Sequence, residues 1–341
     1  MMEYTFQDFE PQGEEISALY GQIEQGKMVH ALLISGEPGT GKRSLADLLA
    51  RTLLCTSPGR RPCGKCGDCL LSSSDEHPDL IRVEKGVPLS EETRKGRSTI
   101  PVDDIREVIR ICSRYPFKGG NRVILIPGAE DMTPQAQNCL LKILEEPPRN
   151  TFFLLTSSHP EQLLVTIRSR CRPLKMKPWP DSTIRKILAG IGTDAGKMET
   201  ILRAASGSIG KARALAEDDA YWAMRDEVRE AFFSDMGRSG ILKVSTAWKD
   251  RKQEAEQMLD ILEDDVRTLL LIRLNLQKDP AVESFSPAWI RFAHEAGPER
   301  FAALQQRVSE ARKQLSFNVN FQAVTEQLLL TFIGERDLWV M

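Results

Sequence analysis

The sequence predicts a parallel, doubly wound α/β domain followed by two helical domains, one small and one larger. Three observations carry this. Residues 31–35 (ALLIS), 79–83 (DLIRV), 122–126 (RVILI) and 152–157 (FFLLTS) are apolar runs without polar alternation, the pattern of strands buried on both faces. Amphipathic helical stretches separate them, the mark of an α/β layout. After Cys171 strand patterns cease, and 341 residues suit two or three domains of about 100–200 residues each.

Each element follows from local chemistry. The first run ends in Gly36-Glu37-Pro38-Gly39-Thr40-Gly41-Lys42 and leads into a helical pattern over 45–54. A second helix is expected over 102–114 after Pro101, and a third over 134–144, stopping before Pro147 and Pro148. Residues 172–180 hold three prolines and read as a linker. Helices then follow over 183–188, 197–205 and 210–216, and from about residue 220 the chain reads as helical throughout. Met258, Leu259, Leu262, Val266, Leu269 and Leu270 form one apolar stripe, and Val324, Leu328, Leu329 and Phe332 another. The expected domains are 1–175, 176–218 and 219–341.

Composition excludes several function classes. With 46 basic and 48 acidic side chains, the chain lacks the cationic excess of a protein that grips DNA alone. Residues 1–175 are also balanced, at 23 of each sign. Local basic clusters at Arg60, Arg61 and Lys65, and at Arg94, Lys95 and Arg97, read as solvated loops. Apolar runs such as 152–155 and 269–272 fall far short of the roughly 18 residues of a bilayer span. The acidic start has no secretory signal pattern, so a cytoplasmic protein is expected. In a reducing compartment its seven cysteines are not expected to form disulfides.

The loop at Gly36, Gly39, Thr40, Gly41 and Lys42 fits GxxxxGK in its strand–loop–helix context, where backbone N–H groups and a helix N-terminus cradle phosphates. The hydrolytic parts are missing. Arg43 stands where a Ser or Thr hydroxyl would hold Mg²⁺, and Ser44 comes one residue late. Such an arginine also puts a cation where the metal would sit. The strand 122–126 ends in Pro127 and Gly128 where a Mg²⁺-holding aspartate and a water-activating glutamate belong. Glu130 and Asp131 lie just beyond, read as acids favoured at a helix start. The expectation is a nucleotide-binding fold without hydrolysis or Mg²⁺, its loop holding ATP, another phosphate or nothing.

Cys55, Cys63, Cys66 and Cys69, with Gly59, Gly64 and Gly67 among them, suit a tetrahedral Zn²⁺ at about 2.3 Å from each thiolate. Four thiolates leave no open position, so the site is structural. Cys112, Cys139 and Cys171 are read as buried packing residues.

The runs HALLISGEPGTGK, the CxxCxxC insert, AEDMTPQAQNCLLKILEEPP and LLVTIRSRC before a proline-rich linker together resemble bacterial clamp-loader subunits of the AAA+ class. The resemblance is dense over 28–175, weaker through the small helical domain and architectural beyond about 220. It implies a P-loop AAA+ sheet domain, a helical lid and an all-α collar through which such subunits form a ring. It also implies that Ser169-Arg170-Cys171 offers Arg170 as a finger to a neighbour's ATP in trans, and that Ser157 matches the polar sensor of the γ-phosphate. Residues 207–212 (GSIGKA) resemble the second sensor motif, but the family's motor subunits carry an arginine where Gly210 stands, with Lys211 beside it. The implied partners are gamma/tau-like and delta-like loader subunits and the sliding clamp, with primed DNA met only in the assembly. The alternative is an active motor ATPase with Mg²⁺ ligands shifted to Ser44 and Glu130.

Overall fold

The computed structural model describes residues 5–89, 97–274, 285–317 and 319–338. Arg94 and Lys95 of the second basic cluster, and residues 275–284 of the stretch read as continuously helical, lie outside them. The chain divides into two compact units, Met1–Ile187 with Ala204–Ala212, and Leu188–Arg203 with Arg213–Met341. Residues 188–203 of the segment read as a lid thus belong to the second unit, and 204–212 to the first.

The first unit is built on a parallel sheet of five strands, in the order β2-β3-β4-β1-β5. They are β1 (Ala31–Ser35), β2 (Leu80–Arg82), β3 (Arg122–Ile126), β4 (Thr151–Ser157) and β5 (Arg172–Lys175). All five residues of β3 are buried, as the unbroken apolar run requires. Helices Lys42–Leu54, Val102–Cys112 and Pro134–Glu145 form close to their expected places. Pro134 opens the last of these, and Thr133 caps it by accepting the Ala136 amide at 3.2 Å, a pairing that satisfies one orphan N–H.

The fifth strand corrects the linker reading of 172–180. Arg172–Lys175 pairs in parallel with β1, placing Pro173 opposite Leu33. β5 is an edge strand with a single neighbour, and an edge tolerates a residue that cannot donate. The parallel arrangement puts the turns after β1, β3 and β4 at one end of the sheet, where open α/β sheets bind ligands.

The second unit is helical, with a core where Phe233, Trp289, Phe292, Phe301 and Phe332 are fully buried. Trp289 lies 5.1 Å from both Phe233 and Phe292 between ring centroids, edge to face, a favoured aromatic geometry. Both predicted stripes face this core. Within the first stripe sits Asp265, wholly buried, accepting from Arg225 at 2.5 Å and Arg229 at 2.8 Å. Among the described residues no helix is long and apolar enough to cross a membrane.

Candidate nucleotide and zinc sites

The phosphate loop follows β1 through left-handed turns at Gly39 (φ 75°) and Gly41 (φ 90°), conformations that glycine adopts without cost. Lys42 opens the following helix and is buried; its Nζ donates to the carbonyls of Gly36 and Glu37, each at 2.8 Å. Burial pushes its ammonium pKa down, against the charges of Glu130 and Glu37. Thr40 closes the turn by donating its hydroxyl to the Glu37 carbonyl at 2.8 Å.

Three successive loop carbonyls accept hydrogen bonds from residues far along the chain. Ser208 Oγ donates to Pro38 at 3.0 Å, the Gly210 amide to Gly39 at 2.9 Å, and Trp179 Nε1 to Thr40 at 2.7 Å. The approach is so close that a Cβ on Gly39 would lie 2.2 Å from Ser208 Oγ, and one on Gly210 3.0 Å from the Gly39 Cα. Gly210 is thus the residue that lets these backbones meet.

Arg43 pairs with Glu84: its guanidinium lies 2.6 Å from that carboxylate and is more than half exposed. Glu130 and Asp131 stand at a helix start, as the sequence reading had them. In a short 3₁₀ turn after Gly128, the Glu130 Oε1 accepts the Ser158 amide at 2.8 Å. Burial pushes its carboxyl up, but the amides around it and the Ser157 hydroxyl outweigh this and hold it below the usual carboxylate range. Ser157 ends β4, fully buried, and accepts the His159 amide at 3.1 Å. Glu130 thus sits beside Ser157 and Ser158, and its charge is felt at Lys42. Asp131 instead pairs with Lys85 at 3.0 Å.

Arg170 ends the short helix Val165–Arg170. Its NH2 group pairs with Glu145, the last residue of helix Pro134–Glu145, while NH1 donates to the Thr166 carbonyl at 2.9 Å. The arginine is one-third and the glutamate half exposed.

The four cysteines of the insert come together as predicted, their sulfurs all within 4.8 Å of one another. Cys55–Cys66 and Cys63–Cys69 are each 3.9 Å apart, near the roughly 3.8 Å edge of a tetrahedron with Zn–S of about 2.3 Å. Cys55 caps the C-terminus of helix Lys42–Leu54, and Cys66 caps the N-terminus of helix Gly67–Ser73. The amides of Cys66 and Cys69 donate to the sulfurs of Cys63 and Cys66 at 3.3 and 3.4 Å. Backbone amides of Lys65 and Cys66 draw Cys63 down to about 6, whereas burial pushes Cys69 up to about 12. Four sulfurs at this spacing match a tetrahedral thiolate site, in which a divalent cation would keep all four ionised. The donor set fits zinc held by Cys55, Cys63, Cys66 and Cys69. Behind it, Asp68 accepts from Lys118 and Thr56 at 2.6 Å each. All seven cysteines are free; Cys112 and Cys171 are buried and Cys139 partly so.

A family profile described as "DNA polymerase III, delta subunit" matches residues 11–180, the stretch that holds the loop, the cysteines and Arg170. DNA polymerase III subunit delta prime of Escherichia coli K12 is 35% identical over 65% of this chain and 63% of its own length. The same subunit of Bacillus subtilis 168 is 29% identical over 94% of this chain and 96% of its own. Over residues 11–180 the chain belongs to the DNA polymerase III delta subunit family. It also matches DNA polymerase III subunit tau of Escherichia coli K12, 33% identical over 62% of this chain but only 32% of that one. The chain thus spans less than two thirds of the first relative and nearly all of the second.

Proposed function

We propose that this chain is a delta-prime-like stator of a bacterial clamp loader, helping to load the sliding clamp onto primed DNA without hydrolysing ATP itself. Its three parts would be an AAA+ domain (1–175), a lid (176–218) and a collar (219–341). Its partners would be gamma/tau-like and delta-like subunits and the clamp, in the cytoplasm. Arg170 would enter a neighbour's ATP site, where an always-charged guanidinium stabilises charge developing on the transferring phosphate.

The observation that carries the stator reading is the end of β3. Pro127 and Gly128 stand where a metal-holding acid is needed, and Arg43 replaces the Mg²⁺ hydroxyl. The hydrogen bonds from Ser208, Gly210 and Trp179 hold the loop's carbonyls to later segments of the same unit.

One observation favours the motor alternative, namely Glu130 held at the end of β4, accepting the Ser158 amide beside Ser157. Purified protein with ATP and Mg²⁺ separates the two. No turnover above background is expected, and turnover that Glu130→Ala abolishes would establish the motor instead.

A further inference from the structure

An arginine finger must be withheld from wasteful contacts before its target arrives, and Arg170 already has a partner. Resting on the reading of Arg170 as a finger in trans, we propose that Glu145 is its standby partner. The carboxylate holds the guanidinium until a phosphate of the neighbouring subunit's ATP displaces it.

The geometry suits an exchange. Arg170 sits at the C-terminus of its helix and Glu145 at the C-terminus of another, so the pair joins two helix ends in one unit. NH1 holds the Thr166 carbonyl one turn back and lies 3.5 Å from the Ser169 hydroxyl. The side chain is therefore held by its own helix through NH1, while NH2 faces the carboxylate. A carboxylate and a phosphate offer the same paired oxygen acceptors to a guanidinium, and the phosphate carries more charge. Partial exposure of both side chains, one-third for Arg170 and half for Glu145, keeps the pair weak enough to yield. Exposed pairs of this kind shift equilibria by about fivefold at most. Glu145 thus acts through Arg170 and is a positioning residue, one that slows an unassembled or misregistered encounter slightly and gives way at a matched interface.

The test uses the loader reconstituted from this chain and its cognate subunits, with ATP and Mg²⁺. Glu145→Gln keeps the shape and removes the charge. It is expected to raise kcat/KM for ATP by up to about fivefold, by an amount that shrinks as salt is added, while Arg170→Ala lowers it. In the Arg170→Ala background Glu145→Gln should have no effect. If Arg170→Ala depresses turnover but Glu145→Gln leaves it unchanged or slower, the standby role is wrong and the finger stands. A Glu145→Gln gain that persists without Arg170 also overturns it. If Arg170→Ala itself changes nothing, the finger reading falls and the standby role with it.

Discussion

Gly39 and Gly210 meet at a point where Gly39 has no room for a side chain and Gly210 has little. Gly39 is left-handed at φ 75°, and its missing Cβ would fall 2.2 Å from Ser208 Oγ. Gly39→Ala should destabilise the first unit by about 1–3 kcal/mol, through overpacking and strained backbone together. Hydrogen exchange at the Gly210 amide, which donates to the Gly39 carbonyl, would report the local loss; unchanged protection would show that the contact contributes nothing. The cysteines allow an equally local prediction. Metal analysis should find about one zinc per chain, since four thiolates close one structural site, and Cys66→Ser should lose the metal. Both features depend on single atoms, and a one-residue change tests each.

At the scale of elements, the loop between helix Val102–Cys112 and β3 is held by buried charge. Asp79, 1% exposed, accepts the amides of Phe117 and Lys118 at 2.7 and 3.0 Å. Arg122 donates to the carbonyls of Ile111, Arg114 and Tyr115 at 2.8, 2.8 and 3.0 Å, and approaches Asp79 at 3.4 Å. Arg122→Ala leaves Asp79 buried beside no cation, which should cost about 3–5 kcal/mol, visible as a shifted urea midpoint. A loss below about 1 kcal/mol would mean that water reaches Asp79 once the arginine is gone. The strand reading of 122–126 was legible because its apolar run is local. The role of its first residue was not, since Arg122 acts on groups up to 43 positions away.

For the molecule as a whole, acid should act on the helical unit through its buried charges. Burial pushes Asp264 up, but the guanidiniums of Arg225 and Arg203 outweigh it and hold the carboxyl below its usual range. A depressed carboxyl contributes stability that is complete above the unfolded value of about 3.9 and is lost as pH falls through the lower folded value. Thermal melts of the protein between about pH 2 and 6 should show this loss, and Asp264→Asn should flatten it in that window. An unaltered slope in the variant would assign the acid sensitivity to other carboxylates.

The amino-acid sequence by itself determined the strand runs, the glycine-rich loop before Lys42, and the four-cysteine cluster. In each, the deciding chemistry lies within a few residues, where covalent spacing sets geometry before any tertiary contact forms. The tertiary structure alone decided that Arg172–Lys175 joins the sheet, that Glu130 turns toward Ser157, that Glu145 holds Arg170, and that Asp265 is buried inside an apolar stripe. Those pairings join positions from 25 to about 140 residues apart, and no periodicity marks them. An edge strand accepts a proline, and a buried acid accepts its place, only because of what packs or pairs with each one.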